Sequence, residues 1–90
     1  MASLQEKIAS GAKVVDVRTP EEFSEEHFPG AINISVEEVS QRISEIGEKE
    51  HPVVVYCATG ARSAYAARIL KAAGYRDVVN AGGLYDMPGY

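Results

Sequence analysis

A small α/β domain, with a parallel β-sheet flanked by helices on both faces, is predicted by three features of these ninety residues. Strand-like and helical segments alternate along the chain, the arrangement that crossover helices impose on parallel strands. The run Pro52-Val53-Val54-Val55-Tyr56 carries consecutive β-branched valines, which suit a pleated, buried surface. Ser3-Leu4-Gln5-Glu6, Thr19-Pro20-Glu21-Glu22 and Ser35-Val36-Glu37-Glu38 each place Ser or Thr three residues before Glu. That spacing satisfies two orphan amides reciprocally at a helix start.

Taken in order, the first helix runs from Leu4 to Ala9 and is ended by Ser10-Gly11. Val14-Val15-Asp16-Val17-Arg18 reads as a strand whose nearly continuous apolar character implies burial on both faces. A brief helix follows from Pro20 to Ser24, with Pro20 at the first helical position, where its missing donor costs nothing. Phe28-Pro29-Gly30 is a turn and Ala31–Ile34 a second short strand. Val36, Val39, Ile43 and Ile46 recur at helical spacing until Gly47, which predicts a further helix. After the valine strand, Ala66, Ile69, Leu70 and Ala73 define one buried helical face that Gly74 terminates. Asp77–Asn80 reads as the last strand and Ala81-Gly82-Gly83-Leu84 as a turn, with Gly82-Gly83 letting the chain pack closely against neighbouring elements.

An apolar fraction of 46% with 24% charged residues is ordinary globular composition. The net charge of −4 gives nucleic-acid binding no electrostatic support. No apolar run approaches the ~18 residues that would span a bilayer. Met1 to Glu6 lacks the basic region and apolar stretch of a secretory signal. As an intact native start it points to the cytoplasm; as a mature or trimmed one it leaves the periplasm open. A single cysteine excludes an internal disulfide and a C-x-x-C mechanism. With only two isolated histidines beside it, no zinc-ligand spacing exists, so neither metal nor cofactor is expected. Nothing in the sequence demands more than a monomer.

That cysteine, Cys57, follows the valine strand and opens Cys57-Ala58-Thr59-Gly60-Ala61-Arg62-Ser63 just before a helix. Ligands of parallel sheets bind beyond the carboxyl ends of the strands, and Cys57 lies at such an end. A strand, a tight glycine loop and a helix start form an anion cradle of unpaired amides. A free thiol titrates near ~8.5, and lowering that by about two units corresponds to roughly 2.7 kcal/mol of preference for the thiolate. Loop amides and the helix dipole are able to supply it, whereas a buried cysteine without them is inert. Gly60 suits a sharply curved loop close to an anion. Arg62 is placed either to hold an anionic substrate or support the loop, or simply to start the helix. Asp16 and Arg18 share one strand face and are expected to pair beside the loop in a structural role. His27 is expected to be hydrogen-bonded in a turn and His51 solvated.

Asp16–Phe23 with His27–Ile34, then Val55–Ser63, then Asn80–Leu84 resemble, in order, the N-terminal signature, active-site loop and C-terminal signature of the rhodanese domain. Size and motif wording most resemble small bacterial sulfurtransferases of the phage-shock type. The resemblance implies one rhodanese domain over residues 1–90. It also implies that Cys57 attacks the outer sulfur of thiosulfate, or of a persulfide donor, and becomes a persulfide. The backbone of Ala58, Thr59, Gly60, Ala61 and Arg62 would hold that anion. Cyanide, a thiol or a protein cysteine would accept the sulfur, necessarily from outside the chain. Ala58 stands where many members of the family carry Arg. A non-catalytic sulfur-carrier or regulatory module remains an alternative, as does a cysteine phosphatase or arsenate reductase. Against the latter, only four residues separate Cys57 from Arg62, and the related phosphatases carry a longer loop.

Overall fold

The structure, a computed structural model, describes residues 3–90; Met1 and Ala2, part of the stretch read for a leader, lie outside the described residues. Among the described residues, β1 (Lys13–Asp16), β2 (Ile32–Asn33), β3 (Val53–Cys57) and β4 (Val78–Gly83) form one sheet in the order β2-β1-β3-β4. Every neighbouring pair is parallel. The connections carry α1 (Leu4–Ala9), α2 (Pro20–Glu25) and α3 (Ala61–Ala72).

Alternation along the strands divides the core into two apolar layers. Val15, Val53 and Val55 face Ala66, Ala67 and Leu70 of α3, together with Ile34, Val39 and Ile46. Val14, Val54 and Tyr56 face the other way, onto Leu4, Ile8, Phe23, Leu84 and Met87. Because both faces are covered, β3 is buried along its whole length. The expected flanking of the sheet on both sides is therefore what the chain adopts.

Two of the three predicted helix caps form as read. Ser3 Oγ accepts from Glu6 N–H at 3.1 Å, while Glu6 Oε1 accepts from Ser3 N–H at 2.8 Å. Thr19 and Glu22 repeat the exchange at 3.2 and 3.0 Å. The third does not form: Ser35 caps no helix, and its hydroxyl instead donates to the Arg18 carbonyl at 3.2 Å.

The helix predicted from Val36 to Ile46 is replaced by two 3₁₀ turns, Val36–Glu38 and Ile43–Glu45. Val39 and Ile46 are still buried, so the apolar spacing is honoured without a continuous helix. Arg42 braces the segment, donating to Glu38, Glu45 and the Asn33 carbonyl. β-Branched residues give this stretch little intrinsic helical drive against such tertiary demands. The last strand also differs from expectation. Rather than turning at Ala81, β4 continues to Gly83, because Val55 pairs with Asn80 and Cys57 with Gly83 across a register shift. One additional residue is accommodated on β4, where Gly82 adopts φ +93°.

His27 stacks on Phe23 with ring centroids 3.7 Å apart, and its Nδ1 lies 2.8 Å from the Phe23 carbonyl. His51 is exposed as expected, with Nε2 2.7 Å from the Gly11 carbonyl. The layer under α3 depends most on Leu70, which is fully buried at the centre of that face. Leu70→Ala should therefore destabilise the fold by about 2–5 kcal/mol, measured as a lowered midpoint of urea unfolding.

Candidate active site

Cys57 is the last residue of β3 and points to the α3 side of the sheet. Its Sγ meets the chain that follows it. Gly60 N–H donates to Sγ at 3.0 Å, Ser63 N–H lies 3.4 Å away, and Ser63 Oγ lies 3.3 Å away. The thiol is completely covered, but it faces the loop amides rather than the interior beyond them. Ala58, Thr59 and Ala61 lie on the exposed outer side of that loop.

Gly60 makes the turn possible. It caps α3 with φ +101°, a conformation that a side chain would strain. Its carbonyl accepts from Ala64 N–H at 2.9 Å and from Asn80 Nδ2 at 3.1 Å, so the residue is fixed on both sides. The end of β4 approaches as closely. A Cβ on Gly83 would stand 2.1 Å from the Ala58 carbonyl oxygen, a contact that no side chain allows. Here the pair Gly82-Gly83 has a specific function: it lets the sheet edge touch the loop.

Burial is the largest influence on the Cys57 thiol and pushes it up. The Ser63 hydroxyl, followed by the N–H groups of Ser63, Gly60 and Thr59, pulls the other way. The donors prevail, and the thiol falls from its ordinary 9.0 to about 7. A substantial share of thiolate is thus present at neutral pH, the form in which cysteine is a nucleophile. Ser63 is fully buried and donates to Asn80 Oδ1 at 2.6 Å. Neither Ser63 nor Asn80 was assigned a role by the sequence beyond its motif; a hydroxyl six residues after the cysteine, in the first turn of a helix, is the signal that marks Ser63.

Arg62 is at the rim but not free. Its guanidinium makes two bonds to the Glu22 carboxylate, at 2.8 and 3.1 Å, and thereby ties α2 to the loop. Arg62 and the Thr19 cap together hold Glu22 down to about 2. The same carboxylate therefore caps α2 and fixes the loop arginine, a second task that its local motif does not reveal.

Asp16 and Arg18 pair as expected, with Arg18 Nη2 donating to Asp16 Oδ2 at 2.7 Å. Their other partners are the Tyr56 hydroxyl, 2.8 Å from Asp16 Oδ2, and the Glu26 carbonyl, 2.6 Å from Arg18 Nη2. Tyr56 belongs to the opposite apolar layer from Cys57. Among the described residues this pair makes no hydrogen bond to residues 57–62, so it serves the far face of the sheet rather than the loop. Burial above all raises the Tyr56 hydroxyl, which stays protonated and able to donate.

Residues 1–86 match the Rhodanese-like domain family. Over 74 residues the chain is 47% identical to the thiosulfate sulfurtransferase PspE of Escherichia coli, covering 81% of this chain and 71% of that protein. A rhodanese from E. coli solved with anions superimposes with a TM-score of 0.82 at 44% identity, over 87% of this chain and 93% of that one. The human single-domain sulfurtransferase TSTD1 gives a TM-score of 0.82 at 29% identity, over 91% and 85%.

The lowered thiol has two measurable consequences. Alkylation of Cys57 by iodoacetamide should reach half its maximal rate near about pH 7 rather than 9.0. An acid depressed on folding stabilises the fold fully above its unfolded value and loses that contribution as pH falls through the folded one. Stability should therefore rise between about pH 7 and 9.0 in the reduced wild type and lose that slope in Cys57→Ala, by urea unfolding.

Proposed function

The chain belongs to the rhodanese family and is a sulfurtransferase, and from that premise we propose that Cys57 carries the transferred sulfur as a persulfide. The contact that supports this most directly is Gly60 N–H to Sγ at 3.0 Å beneath a four-residue loop. The Cys57 thiolate attacks the outer sulfur of thiosulfate. The sulfur–sulfur bond of the donor breaks, its electron pair leaves with sulfite, and Cys57 is left as an anionic persulfide. An external nucleophile, whether cyanide, a small thiol or a protein cysteine, then attacks the terminal sulfur. The electron pair of the broken bond returns to Cys57 as thiolate, and the cycle closes without metal or cofactor. A persulfide donor would load Cys57 by the same displacement.

Backbone dipoles are the reason such an intermediate is stable. Ala61 and Arg62 open α3, where amides have no carbonyl four residues back. Among the described residues their N–H groups meet no acceptor. With the amides of Ala58, Thr59 and Gly60 they form the seat for the terminal sulfur anion, preorganised in the manner of an oxyanion hole. Ala58, Thr59 and Ala61 are exposed on the outer side of this loop, so a donor enters toward the covered Sγ from that side. Arg62, held by Glu22, places a positive charge at that entrance. We read residues 1–90 as one rhodanese domain that works as a monomer, with a small anionic sulfur donor and a thiol, cyanide or protein acceptor.

Treatment with thiosulfate should add the mass of one sulfur atom to the protein, and cyanide should remove it. Cys57→Ser should show neither the adduct nor turnover; turnover retained in that variant would end the proposal. Arg62→Ala should raise KM for thiosulfate several-fold with a smaller change in kcat, as loss of substrate binding requires. The half-exposed ion pair with Glu22 is screened by solvent and worth about 1 kcal/mol, so the melting temperature should change little. An unchanged KM with a markedly lower Tm would make Arg62 structural.

A further inference from the structure

We infer that Asn80 is a positioning residue that governs Cys57 through Ser63, by competing with the sulfur for the single proton of the Ser63 hydroxyl. The inference rests on Cys57 being the sulfur carrier, and it concerns how that carrier is switched between its states.

The orientation of the Asn80 amide is fixed by two independent backbone contacts. Its Nδ2 donates to the Gly60 carbonyl at 3.1 Å, and its Oδ1 accepts from Gly82 N–H at 3.0 Å. Oδ1 is an acceptor only, so Ser63, 2.6 Å away, must be the donor in that bond. A hydroxyl has one proton. While Ser63 gives it to Asn80, the contact of Ser63 Oγ with Sγ at 3.3 Å must run the other way, with the Cys57 thiol donating. The Gly82 carbonyl, 3.5 Å from Ser63 Oγ, is too distant to compete.

Loss of the thiol proton reverses the relay. The thiolate has nothing to donate and demands donors, so the Ser63 O–H rotates from Asn80 Oδ1 to Sγ. Asn80 keeps the Gly82 N–H and loses its bond to Ser63. Conversion to the persulfide moves the charge to the terminal sulfur and leaves Sγ a weak acceptor, and the Ser63 proton returns to Asn80. Only a hydroxyl rotates, and no atom or electron is left over. Asn80 thus disfavours the bare thiolate relative to both the thiol and the loaded form, which keeps the nucleophile reactive and favours its loading.

The charged groups round the thiol do not replace this relay. Arg62 from α3 is occupied by Glu22 from α2, and Asp86, in the turn after β4, takes Gly83 N–H at 2.8 Å. Among the described residues none of the three hydrogen-bonds to Sγ.

The test is a pair of double-mutant cycles read from the pH dependence of iodoacetamide alkylation of Cys57. Asn80→Asp strengthens the hold on the Ser63 proton and should raise the thiol pKa; Asn80→Ala releases the proton and should lower it. Each variant is then made in a Ser63→Ala background, where loosening of Gly60 and the added charge of Asp persist but the relay cannot. The difference between backgrounds should be about half to one unit, positive for Asp and negative for Ala. The pH of half-maximal kcat/KM for thiosulfate should move by the same amount. Shifts that survive undiminished in Ser63→Ala, or differences of the same sign for both variants, would overturn the inference. If Asn80→Asp does not fold, the sign for Asn80→Ala decides alone. The alkylation cycle reads the thiol itself, so its failure is distinct from a failure of thiosulfate to load Cys57.

Discussion

The amide of Gly60 reaches the Cys57 sulfur only because the backbone there turns through a left-handed conformation, and the rest of the site is arranged around that contact. The turn sends the chain into α3 at once, so Ser63 arrives one turn later with both its N–H and its hydroxyl near the same sulfur. It also aims the Gly60 carbonyl back at Asn80, which joins the loop to β4. A side chain at position 60 would be strained by φ +101° and would meet the Gly82 Cα at 3.3 Å. One glycine therefore determines the thiol environment, the start of the helix and the seam with the sheet.

The sheet supplies the fixed side of this arrangement. β3 is buried on both faces, which holds the cysteine at its end without play. On the far face, Tyr56 donates to Asp16 and accepts from Phe28 N–H, so a buried carboxylate, a guanidinium and a phenol satisfy one another. Removing one member of such a group leaves the others unpaired in a dry environment, which costs far more than the group contributes net. Its service to the site is indirect: it fixes the strand pair β1–β3 from behind.

Local patterns were legible in the sequence, and distant pairings were not. The caps at Ser3 and Thr19 involve atoms three residues apart, and the chain reads them directly. Ser35 carries the same local signal, yet the Arg18 carbonyl, 17 residues away in sequence, takes its hydroxyl. The apolar spacing from Val36 to Ile46 marked the right buried residues but not the broken backbone that delivers them. Gly82-Gly83 read as a turn that allows close packing, but the partners, the Ala58 carbonyl for Gly83 and the Asp86 carboxylate for Gly82, appear only in the folded chain. The cysteine loop was legible because it is contiguous. The relay from Ser63 to Asn80 and the clamp from Arg62 to Glu22 span 17 and 40 residues, and no local rule connects them.

Which donors hold the sulfur also decides how the site responds to its surroundings. Side-chain cations would tie anion binding to their own ion pairs and to salt, and the one cation of this loop is already committed to a carboxylate. Amide hydrogens neither titrate nor leave. With Glu22 held down to about 2 and Arg62 raised by its bond to Glu22, the charges at the rim are constant through the neutral range. The sulfur near about 7 is then the titrating group at the centre of an otherwise constant field. Permanent dipoles therefore favour negative charge at the sulfur throughout this range, while the Ser63 hydroxyl, which also reaches Asn80, is a donor that can turn away.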